Sequence, residues 1–320
     1  MSYSGCRVSI SFPKTNTVTI LISRMTGPGA GIGLMLLGML MFSLNDTLGK
    51  MLVATYSIGQ VLLVRSGVAL ILLLPFLWHS GLRPLLVVER PWLQAGRVAL
   101  STFEVFCFYF AVSYFPLADV MTWWLACPIY IATLSPWLLG ETVGWRRWAA
   151  IVIGFIGVVI ALNPSTTQTL SWPIIISIIG PIAFALFIMT GRALRTTPDL
   201  TLVFWQLTGA GLAGLVLAPF DWTPPSLSDF WLLGQLGIVA TLAHLLVNRA
   251  LKLADASTLA PLQYTLLFWA VVFGYLFFGD IPKWPMVIGA ALIVAAGIFI
   301  VWQEQRLKRE KAVPIVPTDV

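Results

Sequence analysis

Residues 111–148 read AVSYFPLADVMTWWLACPIYIATLSPWLLGETVGWRRW, and residues 250–297 read ALKLADASTLAPLQYTLLFWAVVFGYLFFGDIPKWPMVIGAALIVAAG. Under a shift of 139 the two stretches overlay without a gap: Ala111 meets Ala250, Gly140 meets Gly279, Glu141 meets Asp280 and Trp145 meets Trp284. Residue identity is sparse. What agrees is the sequence of events: a helix end, a short turn, an apolar run, an acidic turn before a Trp, then a second apolar run. A helix needs roughly 20 mostly apolar residues to cross the hydrocarbon core. Each stretch therefore predicts two membrane spans joined by an acidic turn.

Working outward, the same shift lays 33–51 over 172–190, so the duplication covers the whole apolar part of the chain. Ten spans are predicted, at 30–52, 58–78, 93–114, 117–138, 147–163, 172–190, 200–219, 229–248, 256–278 and 284–302. The composition agrees, with 58% hydrophobic and 10% charged residues and a mean hydropathy of +0.91. A soluble protein of this length could bury a large core but would need a charged exterior, which these residues are too few to supply. Five spans per half is an odd number, so the second half must cross the membrane in the opposite sense to the first. That is an inverted repeat, an architecture of secondary transporters in which two halves open one central site to alternate sides. The alternative is a duplication that only builds a stable bundle.

The basic residues orient the chain. Arg7, Lys14 and Arg24, then Arg83 and Arg90, Arg146 and Arg147, Arg192 and Arg195, Arg249 and Lys252, and Arg306, Lys308, Arg309 and Lys311 fall at the termini and in every second loop. The opposite loops hold only Lys50 and Lys283. This bias puts both termini in the cytoplasm. The net charge of +6 reports topology; its residues are dispersed over short loops and form no nucleic-acid-binding patch. The predicted fold is an all-α polytopic membrane protein with ten transmembrane helices in two inverted five-helix repeats. Its parts are a polar leader at 1–28 with Met25 as an alternative start, repeats at 29–163 and 164–302, and a cytoplasmic polar tail at 303–320. Cys6, Cys107 and Cys127 have no ligand spacing, so neither a disulfide nor a metal is expected.

The two quoted stretches resemble the EamA-type ten-helix branch of the drug/metabolite transporter superfamily. The resemblance covers about 30–302 and rests on the ends of the fourth and ninth spans, the Leu-Gly-Glu turn at 139–141, and the Gly-rich helix IVIGFIGVVIAL. Asp280 replaces the Glu that the pattern expects. Pro128 keeps the mid-span Pro, whereas the ninth span has Leu267 at that place and Pro261 six residues earlier. The resemblance implies a multi-pass carrier of the bacterial cytoplasmic membrane, with lipids and a small-molecule substrate as partners. Amino acids, nucleosides, vitamins and drugs are all within the family's range, and the fold leaves the cargo open.

Polar residues inside apolar spans are the candidate site. Asp46 lies about six residues from the outer end of the first span and Arg65 about seven from that of the second, so both sit at roughly 10 Å depth. A charge alone in hydrocarbon costs at least about 2.5–3.5 kcal/mol, so they are expected to pair. The pair is read either as a gate beside the substrate path or as a packing contact between helices. Asn45 adjoins Asp46 and is placed to bond across the bundle. Glu104 sits mid-span with no basic residue at its depth on that helix. It must be protonated, paired or in a watered cavity, which suits a proton or cation site or a structural hydrogen bond. His244 and Asn248 share a helix face, and His244 overlays Val105. His244 is read as a titrating group or a neutral interhelical bond. Trp123, Trp124, Gln263 and Tyr264, with Tyr130 and Trp269, form either an aromatic cavity wall or a lipid-facing set. Glu141 and Asp280 are the paired turn acids. Pro128, Pro136, Pro181 and Pro261 are sites for kinks.

No nucleotide loop, nucleophile elbow or metal-spaced His cluster is present, so no cofactor and no ATP-driven pumping is expected. A membrane enzyme using Glu104 and His244 as acid and base lacks a nucleophile or metal partner. A non-transporting scaffold is the other alternative. The expected function is secondary transport of a small organic metabolite, proton coupling through Glu104 included, by a monomer or homodimer. Export of an amino acid or related compound leads, and uptake of an aromatic nutrient such as riboflavin follows.

Overall fold

Proline and glycine punctuate this chain at the places where its helices begin and end. In a computed structural model, which describes residues 27–80, 85, 89–114, 117–162, 172–279 and 284–312, every regular element is helical. Pro28 opens α1 (Pro28–Val53) after Gly27 at φ +94°, and Pro91 opens α3 (Pro91–Tyr114), since proline's missing N–H is not needed in a first turn. Between them lies α2 (Ile58–Ser80). The fourth span is two helices, α4 (Leu117–Trp124) and α5 (Cys127–Leu139), followed by α6 (Trp145–Leu162). The second half has α7 (Trp172–Ala193), α8 (Asp199–Leu217) and α9 (Leu227–Leu253). Its ninth span is a short α10 (Ala256–Leu259), a 3₁₀ stretch Ala260–Tyr264 and α11 (Thr265–Phe278). The last helix, α12 (Trp284–Ala312), continues past the expected end at 302 into the charged tail. Asp280 and the leader up to residue 26 lie outside the described residues.

Both broken spans end alike. Gly140 caps α5 at φ +66° and Gly279 caps α11 at φ +68°, with their N–H groups turned back to Ser135 O and Tyr275 O. A residue with a Cβ is strained at these angles, and glycine is not. The interruptions are neighbours in the repeat frame: 125–126 falls on 264–265, at the end of the 260–264 stretch. Pro128 follows the first and Pro261 opens the second. The two prolines, misaligned by letter, therefore flank equivalent breaks from opposite sides, and each withholds the backbone donor that would continue the helix.

Helix pairing follows the repeat. α1 packs along α9 as α3 packs along α7; α1 meets α11 as α5 meets α7; α2 lies on α8, and α6 on α12. Each contact maps onto its partner, or onto itself, when the halves are exchanged. The outer surface is apolar: Ile71, Trp78, Trp137 and Phe220 are exposed, whereas Gln60, Ser66, Arg97 and Ser257 are fully buried. A soluble protein would show the reverse.

This is an all-α polytopic membrane protein. Six described helical segments are long and apolar enough to cross a membrane: Pro28–Val53, Ile58–Trp78, Ile175–Ala193, Asp199–Phe220, Leu227–Leu253 and Ala256–Phe277. Ten were expected from sequence. The difference has local causes. The fourth span is broken so that Cys127–Leu139 is short, and the third carries Gln94, Arg97 and Glu104.

Candidate functional site: a polar cavity between the halves

Where the broken spans approach α1, α3, α7 and α9 there is a cavity of about 70 Å³. Its polar lining is Asn45, Asp46, Arg65, Glu104, His244 and Gln263, with Trp124 and Tyr109 offering ring and polar tip. Met39, Phe42, Phe108, Phe184 and Leu266 complete the wall. Three lining pairs are repeat mates under the shift of 139: Asn45 with Phe184, Val105 with His244, and Trp124 with Gln263. The cavity thus sits on the relation that exchanges the halves. Its charges do not: Asp46, Arg65 and Glu104 all come from the first half.

Glu104 Oε1 accepts a hydrogen bond from Trp124 Nε1 at 3.0 Å. The indole reaches it because Gly180 on α7 leaves the room; a Cβ there would overlap the far edge of the Trp124 ring. The expected Asp46–Arg65 ion pair is not made among the described residues. Asp46 Oδ1 accepts from Asn45 Nδ2 at 3.2 Å, while Arg65 Nη1 lies 3.5 Å from Tyr109 Oη with its guanidinium 5.9 Å from that ring. A cavity shared by both charges, rather than dry packing, removes the need for direct contact.

His244 Nε2 is 2.9 Å from the Gln206 side-chain nitrogen. An amide nitrogen can only donate, so this ring nitrogen accepts. Phe42 and Phe187 meet the imidazole edge to face, at centroid distances of 5.0 and 5.9 Å. Asn248, one turn on, turns to a different partner: its Oδ1 accepts from Arg97 Nη2 at 2.7 Å. Arg97 is fully buried, bonds Leu202 O at 3.4 Å and lies 4.4 Å from the centre of the Phe187 ring.

Arg97 was not singled out from sequence, although a signal existed. It lies seven residues before Glu104, two turns down the same helix face. Two expected wall residues are not among those that line this cavity. Trp123 packs on the core around Leu48 and Phe108. Tyr264 is fully buried against Gly154, and its hydroxyl donates to Ile151 O at 3.1 Å. Asn248 is likewise off the cavity lining. Glu141 lies at the basic end of the molecule, where its carboxylate accepts the N–H groups of Ala256 and Ser257, each at 3.0 Å.

Several lining atoms have no hydrogen-bond partner in the protein: Asn45 Oδ1, His244 Nδ1 and Gln263 Nε2. Unpaired polar atoms at this depth are costly and are available to a solute. A larger groove of about 930 Å³ lies between α2, α3 and α8. It is mostly apolar and gathers no charges, so the smaller cavity is the stronger site.

The profile of the EamA-like transporter family matches residues 29–163 and 171–302. The chain is 27% identical to an S-adenosylmethionine uptake transporter of Rickettsia felis over 282 residues, covering 88% of this chain and 95% of that one. It is 29% identical to a riboflavin transporter of Vibrio cholerae over 260 residues, covering 78% and 85% of the two chains. A solved crystal structure is similar in fold at a TM-score of 0.71 and 17% identity, over 87% of this chain and 97% of that one.

Proposed function

This chain belongs to the EamA-like transporter family, and from that premise we propose that it is a secondary carrier working by alternating access on a small solute bearing both a cation and a carboxylate. It is a multi-pass protein of the bacterial inner membrane and a transporter, not an enzyme. In this reading ten spans form two inverted repeats, with both termini cytoplasmic and the broken fourth and ninth spans facing each other across the cavity.

The observation that carries the reading is the presence of two carboxylates, Asp46 and Glu104, and one guanidinium, Arg65, in a single ring-walled cavity. An α-amino acid zwitterion offers the matching charges. S-adenosylmethionine adds a sulfonium cation and a flat adenine, for which Trp124 and Phe108 supply faces and Gln263 and Asn45 supply unpaired amide atoms. The name of the Rickettsia relative, an uptake transporter, favours uptake over the export expected from sequence. Riboflavin is the second reading, supported by the same rings and by the Vibrio relative. It leaves the acids without a cation to meet.

The test is uptake of labelled S-adenosylmethionine, methionine and riboflavin into proteoliposomes containing the purified protein. The expected result is saturable uptake of S-adenosylmethionine, inhibited weakly by excess methionine and not by riboflavin. Riboflavin moving while neither zwitterion does would overturn the charge-based reading.

A further inference from the structure

Four charged side chains join the two halves at the basic end of the molecule. Glu141, on the turn between α5 and α6, takes the N–H groups at the start of α10 and lies 3.4 Å from Arg192 Nε. Arg192, near the end of α7, reaches Asp255 Oδ1 at 2.7 Å and Leu251 O at 2.7 Å. Arg147 donates to Ser257 Oγ at 3.0 Å and stands 3.9 Å from Asp255 Oδ2. The network therefore ties the α5–α6 turn of the first half to the α9–α10 turn of the second, through the foot of α7. The Glu141 and Arg192 side chains are only 8% and 13% exposed. Water screens such a pair far less than it screens a surface ion pair.

The duplication supplies an internal control for the opposite end. Shifted by 139, Glu141, Arg147, Arg192 and Asp255 fall on Asp280, Met286, Val53 and Pro116. Three of the four charges have no counterpart. What joins helices at that end among the described residues is of another kind. Tyr56 Oη donates to Asp229 Oδ2 at 2.7 Å, and the Gln60 amide pairs with the backbone of Thr223. In a carrier built from exchanged halves, closing one side should mirror closing the other. Here one closure contains a buried charge network whose mirror image cannot form.

We propose that Glu141, acting through Arg192 and Asp255, is the positioning residue that sets this carrier's sidedness, holding the cytoplasmic side shut when no cargo is bound. The proposal rests on the alternating-access reading above. It makes the cytoplasmically closed form the resting state and makes the opening of that side the step that cargo must drive. A ligand can drive such a step only by binding the open form better. Neutralising the network removes this requirement, so the variants should spend more time open to the cytoplasm.

Ser135 is a suitable reporter. It is fully buried on α5 between the cavity and the network, and Ser135→Cys changes one atom. In full-length protein with Cys6→Ser, a membrane-impermeant maleimide is applied to the cytoplasmic face of reconstituted vesicles. Cys107 and Cys127 are buried, and protein without the reporter gives the background. Glu141→Gln should raise the labelling rate about ten-fold and lower the half-saturating cargo concentration on the cytoplasmic face relative to the external face. Asp255→Asn, at a side chain 45% exposed, should do the same and covers the case in which Glu141→Gln fails to fold. Unchanged labelling in folded protein of both variants, with transport intact, would overturn the proposal. Faster labelling in variants of a protein that moves no solute from a broad panel would retain the lock and remove the carrier reading instead.

Discussion

Glu104 and Trp124 make a hydrogen bond in the cavity wall, and it can be tested one atom at a time. Glu104→Gln keeps size and an acceptor but removes the charge. Cation uptake should fall about 30-fold, the equivalent of ~2 kcal/mol for a lost buried charge partner, and its pH dependence should vanish in proteoliposomes. A wild-type rate and pH profile would leave Glu104 as a structural polar group. Arg97 and Asn248 make a second pair whose two members are not equivalent. Arg97→Met removes a buried charge together with its need for a partner. Asn248→Leu strands that charge and should cost more, ~3–5 kcal/mol. Thermal melts of the two variants in one detergent give the order, and equal losses would refute it. Sequence alone reveals Asp46, Arg65, Glu104 and His244, because a polar letter in an apolar span is conspicuous. It does not reveal which of two adjacent rings faces inward. Trp123 and Trp124 differ by about 100° around a helix, and Gln263 and Tyr264 by about 120° around a 3₁₀ turn. Only packing, such as the space left at Gly180, decides between them.

At the scale of elements, the broken spans divide what was legible from what was not. The Gly-acid turns were readable, because glycine is the residue that closes a helix at positive φ. Gly140→Ala should cost about 1–2 kcal/mol from that strain. Gly144→Ala, with open space around its added Cβ and an ordinary backbone, should cost much less. A melt in which the two variants match would show that the cap at Gly140 contributes nothing. Pro128 and Pro261 marked kink sites in the sequence but did not show that the two kinks are counterparts. Pro128 and Pro261 stand at different repeat positions, so comparing them letter by letter suggested divergence. In three dimensions both breaks border the cavity, which Leu125 lines from the first and Gln263 from the second. Span counting by hydropathy misreads such elements in either direction, because a helix broken at the centre of a membrane is apolar enough but not long enough.

Across the whole molecule, the basic residues predict that fluorescent or enzymatic reporters fused to either terminus will both report the cytoplasm. Opposite sides would require an odd number of spans and would end the inverted-repeat reading. The duplication was visible in the sequence, but its asymmetry became meaningful only when the partners of Glu141 could be seen. The volume of the central cavity has a further consequence. About 70 Å³ holds a few waters, and no solute as large as S-adenosylmethionine or riboflavin fits in it. Loading must therefore part the two halves. Hydrostatic pressure acts on the volume of protein, solute and water together. Compression should consequently change turnover at fixed solute gradients, with an activation volume that reports how far the two halves part and how much water enters the space between them.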